Sequence, residues 1–215
     1  MVTRTHVIKA MRKISIAALL ACLTAFVSPA AMADGNPEQG KLIAYTCLGC
    51  HGIDGYRNAY PSYRVPRLGG QHSDYIVAAL KAYRSGERKH PTMQAQAKSL
   101  SDQDIMDLAA YLSDGDSVEA SAAVVSKAGQ EKTAACAACH GASGVSPKTM
   151  MPIAPILAGQ YSEYIEQALT QYQKGDRSGG NAAIMTGMAA PLTEDDIKLL
   201  AEFYAAQGGL KTTQK

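Results

Sequence analysis

Cys47-Leu48-Gly49-Cys50-His51 and Cys136-Ala137-Ala138-Cys139-His140 are the two stretches on which the reading of this 215-residue chain turns. Two thiols at this spacing can add to the two vinyl groups along one edge of a porphyrin. The histidine that follows at once then stands where its imidazole reaches the iron, and one short helical turn sets all three side chains on one face. Cys-x-x-Cys-His is the attachment pattern of c-type haem, and here it occurs twice. A thioredoxin-like redox pair would follow a strand in a βαβ unit and has no use for the histidine. A tetrahedral zinc site needs four converging ligands, which two well-separated Cys-Cys-His sets do not offer. The sequence therefore predicts two covalently bound haem c groups, with Cys47, Cys50, Cys136 and Cys139 as thioethers and His51 and His140 as iron ligands.

The chain begins with Arg4, Lys9, Arg12 and Lys13 and no acid, continues through an apolar run from Ile14 to Val27, and reaches Ala31-Met32-Ala33. This is the pattern of a secretory signal peptide, residues 1–33, cleaved after Ala33. Cleavage discards Cys22, the one cysteine outside the pentads. Leu19-Leu20-Ala21-Cys22 loosely matches a lipoprotein start, but its second leucine is unusual there and the better small-residue site lies downstream. An exported chain with haem thioethers is expected in the periplasm. Loss of four cations moves the formal net charge from +2 to −2, so the basic balance belongs to the precursor and gives no ground for nucleic acid as a partner. After Ala33 no apolar stretch approaches the ~20 residues of a membrane span.

An internal repeat organises the remainder. Shifting the chain by 89 residues superposes the pentads and also Pro66–Arg88 on Pro155–Arg177, with 12 identities in 23 positions. A three-residue insertion then moves the register to 92, aligning Leu100-Ser101-Asp102-Gln103-Asp104-Ile105 with Leu192-Thr193-Glu194-Asp195-Asp196-Ile197. A repeat of this length is a duplicated domain. The expected boundaries are 34–112 for the first haem domain, 113–124 for a polar linker and 125–215 for the second. Each copy reads as helical. Short opening helices surround Gly40 and Gly129. Ile76, Ala79, Leu80 and Tyr83 recur at helical spacing, as do Ile165, Ala168, Leu169 and Tyr172. Closing helices follow Ser101 and Thr193, with Asp104 and Asp196 placed for capping boxes. A half of about ninety residues has a marginal apolar core, which a haem would complete.

The repeat also points to the second axial ligands. Met93 lies seven residues before Leu100 and Met185 seven before Leu192, equivalent under the 92-residue register, each in a loop ahead of the closing helix. A His/Met pair raises the reduction potential relative to harder ligands. Met106, Met150 and Met151 do not recur in register and read as core. Met188 rivals Met185, but its counterpart is Gln96, and His90 rivals Met93, but no histidine answers it in the second half. Pro66 and Pro155 stand at a fixed interval after the pentads, where a backbone carbonyl can take the Nδ1 hydrogen of each proximal histidine. His72, aligned with Tyr161, reads as an ordinary exposed or propionate-side residue.

The two Cys-x-x-Cys-His-Gly stretches, the paired Pro-x-Leu-x-Gly-Gln segments and the Met-x6-Leu-Ser/Thr-x2-Asp-Ile blocks resemble the class I cytochromes c, and their duplication resembles the dihaem cytochrome c4 family across residues 34 to 207. The resemblance implies an all-α fold of two tandem class I cytochrome c domains about a pseudo-twofold axis. It assigns His51 and Met93 to the first haem and His140 and Met185 to the second. It also implies a periplasmic carrier without a small-molecule substrate, often loosely membrane-associated. Such a carrier takes electrons from a quinol-oxidising complex or another cytochrome and feeds a haem-copper terminal oxidase. Two other functions compete: the electron-accepting subunit of a periplasmic dehydrogenase, and a dihaem peroxidase, against which two in-register methionines argue. Finally, Arg57 to Lys98 holds eight Lys or Arg against two acids, including a Tyr- and Arg-rich loop from Tyr56 to Arg67 that departs from the family pattern. This reads as a solvated charged face or as a surface that docks on an acidic patch.

Overall fold

The computed structural model describes residues 34–113, 118, 127–149 and 153–213. The signal-peptide reading, most of the 113–124 linker, Met150 and Met151 lie outside these residues.

The first half runs α1 (Pro37–Ile43), α2 (Leu48–His51), α3 (Ser73–Ser85), α4 (Pro91–Lys98) and α5 (Asp102–Ser113); the second runs α6 (Lys127–Lys132), α7 (Ala134–His140), α8 (Ser162–Gln173), α9 (Ala182–Ala189) and α10 (Glu194–Ala206). Opening helix packs on closing helix in each half, α1 on α5 and α6 on α10, and each middle helix packs on its closing helix and on the short helix before it, α3 on α5 and α4, α8 on α10 and α9. Among the described residues the only extended pairings are isolated bridges, so the all-α expectation holds.

The sequence dictates these elements locally. Asn36 caps α1 by accepting from the amides of Glu38 and Gln39, and Pro37 at the first helical position needs no amide partner. Gly40 sits where α1 crosses α5: a Cβ there would stand 2.0 Å from the Asp107 carbonyl oxygen, so only a residue without one permits the crossing. The middle helix α3 ends at Gly86, whose φ of 88° is a left-handed cap. Both capping boxes form. Ser101 Oγ accepts from the Asp104 amide while Asp104 accepts from the Ser101 amide, and Thr193 and Asp196 do the same. Ile76 and Ile165 face the core from the middle helices, meeting Ala109 and Leu112 in one half and Leu200 and Phe203 in the other.

Met93 and Met185 were expected in loops, and the structure corrects this: both lie within short helices, α4 and α9. Pro91 pre-sets the first turn of α4, and the run Ala182-Ala183-Ile184-Met185 is rich in helix formers, so each stretch gains a helical turn that hydrophobic periodicity over eight residues does not announce.

The halves meet through a pseudo-twofold pairing. Gln71 donates to the Ile156 carbonyl and accepts from the Ile156 amide, at 3.0 and 2.9 Å. Gln160 donates to the Arg67 carbonyl and accepts from the Arg67 amide, at 2.9 Å each. Gln71 and Gln160 are equivalent under the 89-residue register, as are Arg67 and Ile156. Arg88 and Arg177, also equivalent, pair with each other as a bridge, which puts the axis between them. The chain's end adds an unsymmetrical strap: Lys211 exchanges backbone hydrogen bonds with Gly69 of the first half, and Leu210 is buried against Ile156 and Ala158.

Candidate haem sites

Each Cys-x-x-Cys-His pentad winds into a helical turn, with the His51 amide bonding the Cys47 carbonyl, so thiols and imidazole share one side. The imidazoles are buried and oriented alike. His51 Nδ1 donates to the Pro66 carbonyl at 2.8 Å, and His140 Nδ1 to the Pro155 carbonyl at 2.9 Å. The backbone carbonyl partners expected from the fixed Pro intervals are therefore present. Burial pulls both histidine pKa values below the usual range against the pull of these carbonyls. Each ring is thus neutral with Nε2 left as a lone-pair donor, the form a metal requires. Burial also pushes the thiols of Cys47 and Cys136 up.

One cavity of about 570 Å³ runs through both halves. It is lined by Cys47, Cys50 and His51 of the first half, by Cys136 and His140 of the second, and by Met93, Met185 and Met188. Most of the remaining lining is apolar, including Ile76, Leu68, Ile165, Leu157 and Leu200. The residues present fit two covalently attached haems: thiols at the required spacing, a neutral and aimed imidazole beside each pair, and an apolar slot facing a thioether. Met93 and Met185 are both partly buried, whereas Met188, on the same face of α9 three residues on, is 40% exposed. His90 is otherwise engaged. Its Nδ1 accepts from the Met93 amide as the cap of α4, and its ring lies edge-on to Tyr63 and Tyr83.

One expectation is corrected. His72 is buried, its Nε2 lying 3.0 Å from the Ser146 carbonyl oxygen and 2.9 Å from Ser146 Oγ. Its equivalent Tyr161 reaches the other way, donating to Asp54 at 2.5 Å and accepting from the Gly55 amide. Both are bolts across the axis, and a histidine matched with a tyrosine could serve as one because both are long, planar and hydrogen-bonding. Several cations of the basic stretch form ion pairs while staying partly exposed, with side chains of Arg57, Lys81 and Lys89 at 50%, 43% and 65%. Arg57 and Arg64 both engage Glu163, Arg67 engages Asp54, Lys89 engages Asp176, and Lys81 and Arg84 engage Asp102. Arg64 and Arg67 also stack over Tyr161. Arg57, Arg64 and Lys89 thus pair with acids of the second half, whereas Arg67, Lys81 and Arg84 pair with acids of the first.

Sequence reasoning missed the polar residues at the centre of the molecule: Gln71, Gln160, Arg88, Arg177 and Tyr164. Their signal was identity within the 23-residue repeat at positions that helical periodicity does not need.

With the geometry in hand, similarity to known proteins agrees with it. The cytochrome c family model matches residues 37–116 and 126–205. Cytochrome c4 of Stutzerimonas stutzeri is 31% identical over 90% of this chain and 98% of that protein. A thiosulfate dehydrogenase electron acceptor of Thiomonas intermedia (strain K12) is 30% identical over 92% of each chain. The crystal structure of reduced recombinant cytochrome c4 from Pseudomonas stutzeri superposes with a TM-score of 0.64 at 28% identity, covering 80% of this chain and 98% of that one. Two family matches, each spanning one attachment pentad and one distal methionine helix, together with near full-length likeness to cytochrome c4, place this chain in the dihaem cytochrome c4 family, electron-transfer proteins that carry two covalently attached haem c groups.

Proposed function

We infer that the chain is a periplasmic electron carrier whose first haem is attached through Cys47 and Cys50 with iron between His51 and Met93, and whose second is attached through Cys136 and Cys139 with iron between His140 and Met185. The observation that carries this reading is the equivalence of the two distal helices, α4 and α9, each presenting its in-register methionine to the cavity that the matching imidazole faces. The lower exposure of Met185 favours it over Met188. Bound haem supplies a one-electron centre. The protein's part is to fix each imidazole through its carbonyl partner, to keep water from the iron with an apolar wall, and to hold a thioether ready on the far side, which favours the reduced state.

Residues 1–33 act as a cleaved signal peptide, 34–112 and 125–215 as the two haem domains and 113–124 as their linker. Among the described residues no helix is long and apolar enough to cross a membrane. The membrane association belonging to this reading is loose and peripheral. The acceptor is a haem-copper terminal oxidase, with a quinol-oxidising complex or another cytochrome as donor. A second reading, acceptance of electrons from a periplasmic dehydrogenase, is favoured by the near full-length likeness to a thiosulfate dehydrogenase electron acceptor.

Optical spectroscopy tests the ligation. The oxidised protein should show a weak sulfur-to-iron band, and the reduced protein should bind no carbon monoxide. Met185→Ala should lose about half the band and open one haem to carbon monoxide, while Met188→Ala should keep both properties. The reverse pattern assigns Met188, and rapid carbon monoxide binding by the unaltered protein removes the simple carrier reading. Rates of reduction by a dehydrogenase and of oxidation by oxidase-containing membranes separate the two partner readings.

A further inference from the structure

Arg88 and Arg177 are only 7% and 5% exposed, and among the described residues neither forms an ion pair with a carboxylate. Equivalent by register, they sit opposite each other at the axis, and both line the cavity shared by the two haem sites. Most of their neighbours are aromatic, and Arg177 Nε donates to Gln171 Oε1 at 2.9 Å. Arg88 stacks over Tyr83, and Arg177 lies over Tyr164 and Tyr172. Both guanidiniums also donate to one hydroxyl, that of Tyr164, at 2.6 and 3.4 Å. The acids on either side of the bridge do not reach them: Asp176 is held by Lys89, and Glu87 packs by Gly179. Arg88 Nε is buried without a hydrogen-bond partner.

Two buried like charges with one tyrosine between them and an unpartnered donor form an incomplete site, since a buried cation is costly unless an anion meets it. The potential there is positive enough to be read on Tyr164. Burial pushes that phenol's pKa up, yet the two arginines bring it down to about 8.

We propose that Arg88 and Arg177 form one shared seat for carboxylates of both haems, and that this pair sets the two reduction potentials jointly. The idea rests on both haems occupying the common cavity, which haem content per chain checks separately. A guanidinium matches a carboxylate with two parallel donors, and a cation at the axis favours the less positive, reduced iron on either side of it.

The test is potentiometric titration of the holoprotein. Arg88→Gln should lower both potentials, although Arg88 belongs to the first half. Each reduction constant should fall about tenfold, ~59 mV for a one-electron step. Arg177→Gln should do the same, and Arg88→Lys, which keeps the charge, should leave both within about threefold. A shift confined to the haem of the substituted half, no shift, or an equal shift in the lysine variant overturns the proposal. Should both glutamine variants fail to take up two haems, assembly of both lysine variants supports the charged seat, and their failure reduces the pair to a packing role.

Discussion

The two halves handle the near and far sides of their sites differently. On the near side the histidine-to-carbonyl bonds match, at 2.8 and 2.9 Å. On the far side they diverge. Helix α4 starts with Pro91 behind His90, whose ring caps the helix and is wedged between Tyr63 and Tyr83. Helix α9 starts behind Asn181, whose side chain caps nothing, and it carries a second thioether, Met188. Covalent attachment constrains the proximal turn tightly, since thiols and imidazole must all meet one group. In the proposed ligation α4 and α9 each deliver only one side chain, which leaves the halves free to differ there. The same contrast holds at the interface, where each half reaches across the axis with the same glutamine but lodges it in a different setting.

That last difference makes the strongest prediction. Gln71 and both its partner atoms are buried, whereas the bonds of Gln160 to Arg67 are only partly so. Gln71→Ala strands a buried amide and carbonyl of Ile156 and also frees the His72 amide, a loss of about 1–3 kcal/mol. Gln160→Ala likewise frees the buried Tyr161 amide, but it should cost less, because water can reach the Arg67 amide and carbonyl it leaves. Denaturant titration of the holoprotein, with both single variants and the double, measures this. Equal losses would show that the two crossings are energetically equivalent despite their burial.

The distal helices offer a smaller contrast. His90→Ala removes a side-chain cap from α4 and should cost about 1 kcal/mol, while Asn181→Ala should change stability by only a few tenths, since its side chain caps nothing. Hydrogen exchange on the first-turn amides of α4 and α9 checks this locally. The Met93 amide should lose protection in the histidine variant, and the amides of α9 should be unchanged in the asparagine variant.

What was legible beforehand follows the same divide. The pentads, the proline intervals and the 89-residue register gave the helices, the duplicated fold and the proximal atoms, because covalent chemistry and helix periodicity leave direct traces in sequence. The helical state of the Met93 and Met185 segments left little trace, since eight residues carry too few apolar positions to show a period. The roles of His72 and of the basic stretch were illegible for another reason. Their partners, Ser146, Glu163 and Asp176, lie 74 to 106 residues away, and nothing in the spacing joins them until the halves are folded against each other. Only the repeated identities of Gln71 with Gln160 and Arg88 with Arg177 hinted that the polar centre was shared.

The smallest effect concerns acid. Asp54 accepts from Tyr161, Thr212 and Arg67, and chiefly through the Tyr161 hydroxyl its carboxyl is held down at about 2 against an ordinary value of 3.8. A depressed folded-state pKa stabilises the protein fully above the unfolded value and loses that contribution as pH falls through the folded one. The stabilisation should therefore fade between about pH 4 and pH 2. Asp54→Asn keeps an acceptor for Tyr161 and Thr212 but cannot titrate, so its stability should fall less steeply over that window, with the two curves parallel above pH 5. Because Asp54 joins the first half to Tyr161 and to the tail at Thr212, the loss should register first as weakened pairing of Gly69 with Lys211. Hydrogen exchange at those two amides, followed from pH 5 to pH 2, should show it in the native protein and not in the variant. An unchanged acid slope would mean that the Asp54 contacts are formed without stabilising the strap.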